Sequence, residues 1–213
     1  TFKPGVALAA ITDGIINGTQ TINCTYAYEY YAPSYVPKCM SRHSHLSVVG
    51  AIEKSCNYYF YDVGRLMGGT IFNYLKLYGF GQKTGVELTE AKGVVASKEN
   101  REAAGGIWYP GNTVQAAIGQ SDNLFTPMQL AAYAMTVANR GTRYQTHLVR
   151  ATVDHTGKVT ETKPTVAADM SYVRSEVWDA IESGMILTYT NGTATRFFYG
   201  AEYEIAAKTG TAE

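Results

Sequence analysis

The sequence predicts a chain of mixed class in which helix dominates and strand is a minor component. Three observations carry this. Apolar residues recur at helical spacing in several separate stretches, one stretch alternates about a turn signal, and one short apolar run near the end reads as a strand. Taken in order, VALAAITDGII (6–16) has the helical spacing, with Pro4 where a first-turn proline is tolerated. Residues 17–47 are punctuated by Gly, Tyr, Ser and Pro and read as a long irregular excursion. Residues 48–68 read as one helical stretch with the polar triplet Ser55-Cys56-Asn57 in mid-course, and 70–80 as a second, ended by Gly79 and Gly81. TPMQLAAYAMTVANRG (126–141) is a third, with Thr126 as N-cap, Pro127 in its first turn and Gly141 as its stop. Residues 148–163 alternate around His155-Thr156-Gly157, a hairpin signal; 175–190 is helical again, and YEIAAKTGTA (203–212) reads as a strand.

The 213 residues make one large domain or two small ones, enough to bury a core. Eighteen basic residues balance 18 acidic ones, so no electrostatic footprint for nucleic acid or an anionic membrane is present. No run of 18 or more apolar residues occurs, so no segment reads as a bilayer span.

Three short patterns occur in order: a lysine at the start of a helix (Lys3), an S-x-N on a helical stretch, and K-T-G on an apolar strand. Two of them have a second copy. Lys83-Thr84-Gly85 lies in a glycine-broken turn, whereas Lys208-Thr209-Gly210 follows the apolar run YEIAA. A lysine that serves a substrate lying along a sheet edge belongs on a strand, which selects Lys208. Ser121-Asp122-Asn123 lies in a loop, whereas Ser55-Cys56-Asn57 is embedded in a helical run, which selects Ser55 and Asn57. The other copies read as polar turns.

The set resembles the S-x-x-K, S-x-N, K-[TS]-G signature of penicillin-binding proteins and serine β-lactamases. The surrounding wording, FKPG, SCNYYFYDVGRLMG, GFGQKTGVEL, AAIGQSDNLFTPMQLA and AAKTGTAE, is similar to the transpeptidase domain of class B, elongation-type penicillin-binding proteins over nearly the whole chain. The fold this resemblance implies is α+β, an antiparallel sheet packed by helices beside a mostly helical part, with the active site between them. The activity it implies is peptidoglycan D,D-transpeptidation: acyl transfer from a D-Ala-D-Ala stem peptide through a serine ester, inhibited by β-lactams. In the implied roles Lys3 is the base, Ser55 relays a proton, and Asn57 holds Lys3 and the substrate. Lys208, Thr209, Gly210 and Thr211 receive the terminal carboxylate, and the Thr211 N–H supplies half of the oxyanion hole. The serine of S-x-x-K falls one position before Thr1. Residues 1–213 are therefore expected to be a partial transpeptidase domain, truncated at both ends, inactive alone for want of its serine. The K-T-G strand is expected to stay ordered only if another segment pairs with it. The resemblance also implies a parent anchored on the outer face of the bacterial cell membrane by an N-terminal segment, within a cell-elongation complex.

The three cysteines are an odd set for an extracytoplasmic domain. Cys24, Cys39, His43 and Cys56 would form a tetrahedral Cys3His zinc site of the closed structural kind, with His45 as a substitute for His43. A Cys24–Cys39 disulfide with Cys56 free, or three unlinked thiols, are the alternatives. No cofactor is expected for the acyl-transfer chemistry itself. Two other functions fit the same fold: a β-lactamase or D,D-carboxypeptidase, which needs a carboxylate to direct water and for which Glu90, Glu99 and Glu102 are unmarked candidates, and a non-catalytic β-lactam-binding sensor.

Overall fold

A computed structural model describes residues 1–211. In chain order its helices are α1 (Lys3–Thr12), α2 (Val48–Glu53), α3 (Asn57–Met67), α4 (Ile71–Leu77), α5 (Lys98–Ala103), α6 (Pro110–Ala117), α7 (Pro127–Ala138) and α8 (Ser175–Thr190). Its strands are β1 (Ile22–Cys24), β2 (Ser44–Leu46), β3 (Arg143–Tyr144), β4 (Ala151–Val153), β5 (Val159–Glu161) and β6 (Val166–Ala168). The fold is α+β, with helix predominant.

The centre is α1, buried on every side from Lys3 to Ile11, the pattern of a helix with no solvent face. Gly5 lets its neighbours come close: the Gly5 N–H donates to the Tyr133 hydroxyl at 2.8 Å and the Tyr78 hydroxyl donates to the Gly5 carbonyl at 3.0 Å. A side chain there would press on the Tyr78 ring at 2.9 Å. Around α1 pack α2, α3, α4 and α8, with Ile52, Phe60, Val63, Leu75 and Ile181 filling the space between them.

The 48–68 stretch is two helices rather than one. Ser55 N–H donates to Ile52 O and Cys56 N–H to Ala51 O, the paired bonds that close a helix with a left-handed residue at its end. That residue is Ser55, at φ +54°, where glycine is usual. Cys56 then caps α3, its Sγ accepting the Tyr59 N–H at 3.4 Å. The polar triplet therefore lies in a sharp break between two buried helices.

The 17–47 excursion carries β1 and β2, paired antiparallel with Ile22 opposite Leu46 and Cys24 opposite Ser44. The hairpin expected over 148–163 is β4–β5, Val153 facing Val159, its turn held by the Asp154 carboxylate accepting the Thr156 and Lys158 N–H groups. His147 and His155 are exposed there. Helices at 127–138 and 175–190 form where expected, the former with the Thr126–Gln129 capping box. Helices α5 and α6 and the β3–β6 pair have no counterpart in the sequence reading.

One expected element does not form. Residues 203–211 make no strand ladder; Ala212 lies outside the described residues. A strand exists only through a partner backbone, and among the described residues none runs alongside. The segment is instead tied at points, Ala207 N–H donating to Met185 O at 3.0 Å and Thr1 N to Thr209 O at 3.0 Å. No helix of the described residues is long and apolar enough to cross a membrane.

Candidate active site

The start of α1, the break between α2 and α3, and the K-T-G segment meet at one cleft of about 970 Å³. Lys3 enters it from the first turn of the buried helix and is itself only 6% exposed. Its Nζ donates to the Ser55 carbonyl at 2.7 Å, to Ser55 Oγ at 3.1 Å and to Asn57 Oδ1 at 2.5 Å. Lys208 Nζ approaches the same hydroxyl from the other wall, 2.8 Å from Ser55 Oγ, with Thr209 O and Oγ1 at 3.2 and 3.3 Å. Ser55 Oγ thus stands between two amines. The left-handed backbone at Ser55 aims both its carbonyl and its hydroxyl at Lys3, and such strain is kept where the surroundings over-determine it.

Two amines that share a hydroxyl inside a cleft are costly to charge together. Burial lowers Lys3 to about 8, against the opposing pull of the Cys39 and Cys56 thiols. Burial, and then the charge of Lys3, lower Lys208 to about 7. One of the pair is therefore readily neutral near physiological pH, and a neutral amine hydrogen-bonded to a hydroxyl can take and return protons.

Thr209 and Thr211 line the same cleft, with Gly210 between them. Thr193 reaches Thr209, Oγ1 to Oγ1 at 2.8 Å, so the NGTA turn faces the K-T-G hydroxyl. Gln120 Nε2 donates to Thr211 O at 3.0 Å. The alternative motif copies lie in structural roles. Thr84 and Gly85 both bond Glu90, Asp122 pairs with Arg101 at 2.7 Å, and Asn123 bonds backbone at Ala96, Ala116 and Gln120. Glu90 is thereby committed away from the cleft, and neither Glu99 nor Glu102 lines it. Trp108 bonds Thr113 and stacks edge-on to Phe72, outside the cleft; of the Tyr58–Tyr61 run only Tyr61 lines it.

The far wall is the 35–43 loop, contributing Tyr35, Pro37, Lys38 and Met40. Nothing in its sequence marks these residues, since they become neighbours of Ser55 only through long-range packing. What holds the loop is the cysteine cluster. The donor atoms of Cys24, Cys39, His43 and Cys56 all lie within 4.8 Å of one another. Cys39 Sγ is 3.8 Å from Cys56 Sγ, and His43 Nδ1 is 3.5 Å from Cys39 Sγ and 3.7 Å from Cys24 Sγ. A tetrahedral zinc with Zn–S near 2.3 Å and Zn–N near 2.0 Å requires S···S edges of about 3.8 Å and S···N edges of about 3.5 Å. The residues therefore fit a closed zinc site. His43 Nε2 is 2.8 Å from Ser41 Oγ, a bond that turns Nδ1 toward the thiols. The three cysteines are free, which removes the Cys24–Cys39 disulfide: all three sulfurs converge on one point with His43 instead of two pairing off. His45 lies in β2 opposite Asn23 and takes no part. The hydrogen bond between the two thiols lowers Cys39 and pushes Cys56 up, so the pair does not ionise together. The cluster also reaches the triplet directly, as the Asn57 N–H donates to Cys39 Sγ at 3.2 Å.

The profile of the penicillin binding protein transpeptidase domain matches residues 1–213. The chain is 30% identical to the peptidoglycan D,D-transpeptidase MrdA of Haemophilus influenzae, over all of this chain and 34% of that protein. The structure superposes on Pseudomonas aeruginosa PBP2, solved in complex with WCK 5153, at TM-score 0.87 and 28% identity, covering all of this chain and 49% of that one. It is also similar to PBP2 in the complex of penicillin-binding protein PBP2 and MreC from Helicobacter pylori, at TM-score 0.81 and 26% identity, covering 99% of this chain and 39% of that one. The chain spans about a third of the length of the curated relatives it matches.

Proposed function

The chain belongs to the penicillin-binding protein transpeptidase family, and from that premise we propose that it carries the catalytic centre of a peptidoglycan D,D-transpeptidase of the elongation type. The observation that carries this reading is the convergence of Lys3 and Lys208 on Ser55 Oγ, with Asn57 completing the grip on Lys3.

In the proposed reaction the nucleophile is a serine immediately before Thr1 in the parent protein, one helical turn from Lys3. Neutral Lys3 takes the serine proton as Oγ attacks the carbonyl of the penultimate D-alanine. The tetrahedral oxyanion is met by backbone N–H groups, that of Thr211 among them. The C–N bond then breaks, the leaving amine receives its proton through Ser55 Oγ, and D-alanine departs from a serine ester. An amine of a second stem peptide attacks that ester, its proton passes back to the Lys3–Ser55 pair, and the serine regains its hydrogen. Lys208 and Thr209 hold the terminal carboxylate. A carboxylate beside Lys208 favours its ammonium form, and that charge makes a second one on Lys3 costlier. Substrate binding thus leaves Lys3 as the neutral partner.

Cys24, Cys39, His43 and Cys56 would hold a structural zinc ion, which supplies no step of the reaction and fixes the 35–43 loop and the Asn57 backbone. The parent would be anchored on the outer face of the cell membrane and take its place in an elongation complex, as the MreC complex of the Helicobacter protein suggests. The test is mass spectrometry of the full-length parent with a penicillin. One covalent adduct per chain is expected, lost when the residue before Thr1 is changed to alanine. An unmodified protein would refute the reading.

A further inference from the structure

The demands on the K-T-G segment differ along its length. Thr209 is to meet a carboxylate, whereas the Thr211 N–H is to meet an oxyanion, and such a donor acts only when it lies about 3 Å from where that oxygen will be. Among the described residues 203–211 form no ladder, so no sheet neighbour sets the direction of this N–H. Within the same residues the one hydrogen bond on Thr211 comes from a side chain. Gln120 Nε2 donates to the Thr211 carbonyl at 3.0 Å. Because the partner is a carbonyl, only the nitrogen of the amide can face it.

Gln120 itself is held from both sides. Helix α6 closes on Gly119, at φ +86°, with the Gly119 N–H donating to Ala116 O at 2.9 Å and the Gln120 N–H to Gln115 O at 3.0 Å. The Gln120 carbonyl then accepts the Asn123 side-chain amide at 3.0 Å. The turn is seated on the residue before Lys3: a Cβ at position 119 would lie 2.8 Å from Phe2 Cβ, and Phe2 is in turn stacked on Phe125. Gln120 therefore ties Thr211 to the helix end that carries Lys3 and, in the proposed reaction, the nucleophile. The carbonyl and the N–H of one residue are separated only by its two backbone torsions, so fixing the first restrains the second. We infer that Gln120 is a positioning residue for the oxyanion hole, its side-chain amide holding the Thr211 carbonyl so that the Thr211 N–H stays aimed at the oxygen of the attacked carbonyl. This rests on the transpeptidase reading and adds to it a residue outside the three motifs.

The experiment uses the full-length parent with Gln120→Met, which keeps the length and loses the donor, and Gln120→Glu, which keeps the shape and sets a carboxylate against the carbonyl. Each is first melted and titrated covalently with a penicillin. Two quantities are then measured: release of D-alanine from an N-acylated D-Ala-D-Ala peptide, and the affinity for an N-acylaminomethyl boronic acid. The boron takes up the serine oxygen, becomes tetrahedral and so resembles the transition state. In Gln120→Met, kcat should fall about tenfold, less than the loss on removing an oxyanion donor outright, with KM within about twofold of the unaltered protein. The boronic acid should bind about tenfold more weakly, and both losses should be larger in Gln120→Glu. Melting temperature and penicillin stoichiometry should hold. Unchanged kcat and boronic acid affinity in Gln120→Met overturn the inference, as does a loss confined to KM, which would make Gln120 a ground-state contact. Variants that both melt early and fail to titrate would assign Gln120 to folding and overturn it too. Each of these leaves the transpeptidase reading standing; failure of the unaltered protein to titrate with penicillin overturns that reading itself.

Discussion

The two walls that meet at Ser55 Oγ are built on different terms. The Lys3–Ser55–Asn57 side is fixed several times over: Lys3 leaves a helix with no solvent face, Ser55 closes α2 in a left-handed turn, and Asn57 opens α3 with its N–H on Cys39. The K-T-G side hangs from single bonds at Thr1, Met185, Thr193 and Gln120. In the proposed reaction the two sides do different chemistry. Proton transfer between Lys3, Ser55 and a nucleophile tolerates little displacement, so its groups sit on buried helices. Holding a carboxylate against an ammonium and a hydroxyl is more forgiving, because charge attraction changes slowly with distance.

Damage to the rigid side should cost most. In the full-length parent, Lys3→Ala should reduce the rate of penicillin acylation by about a thousandfold, within the range for losing a general base. Its melting temperature should hold or rise, because the substitution removes a charge that is costly to bury. A rate within tenfold of the unaltered protein would remove Lys3 from the mechanism. Next comes the support behind Asn57. Elemental analysis of the parent should find one zinc per chain, and Cys56→Ser should abolish it and lower the melting temperature by about 10 °C, equivalent to ~3 kcal/mol for a domain of this size. One zinc per chain retained in Cys56→Ser would show that the other three donors suffice.

The lysine pair predicts the pH dependence. A base acts only when neutral, and both amines are lowered, Lys3 to about 8 and Lys208 to about 7. The second-order rate of acylation should therefore climb up to about tenfold per pH unit from pH 6 and level off near pH 8. A climb that continues to pH 10 would mean that neither amine is buried in the working protein.

How much of this could be read beforehand follows the same division. Lys3, Ser55, Asn57 and Lys208 were legible because each lies in a short motif whose residue types the chemistry dictates. The cysteine cluster was legible as a donor set, and the choice of His43 over His45 follows the pairing that puts β2 opposite β1. The break at Ser55 was not legible. The sequence shows continuous helical periodicity through Lys54-Ser55-Cys56, and only packing on both sides forces a serine into a glycine's conformation. The strand over 203–212 misled for the opposite reason: an apolar run signals a strand, but a strand also needs a neighbour. Helix α5, KENREA, is exposed and lacks any apolar stripe, so periodicity had nothing to detect.

Thr193 offers the finest test of the looser side. Its hydroxyl is bonded to that of Thr209 at 2.8 Å, and Thr209 is one of the two partners assigned to the terminal carboxylate. Thr193→Val keeps the shape and removes one neutral hydrogen bond, worth about 1 kcal/mol, or roughly fivefold. If the bond serves to orient Thr209, the loss should appear in KM for D-Ala-D-Ala peptides, with kcat and melting temperature little changed. Were the loss to appear in kcat at constant KM, Thr193 would belong with the proton-transfer groups, and the division between a rigid chemical wall and a forgiving binding wall would have to be redrawn to include the NGTA turn.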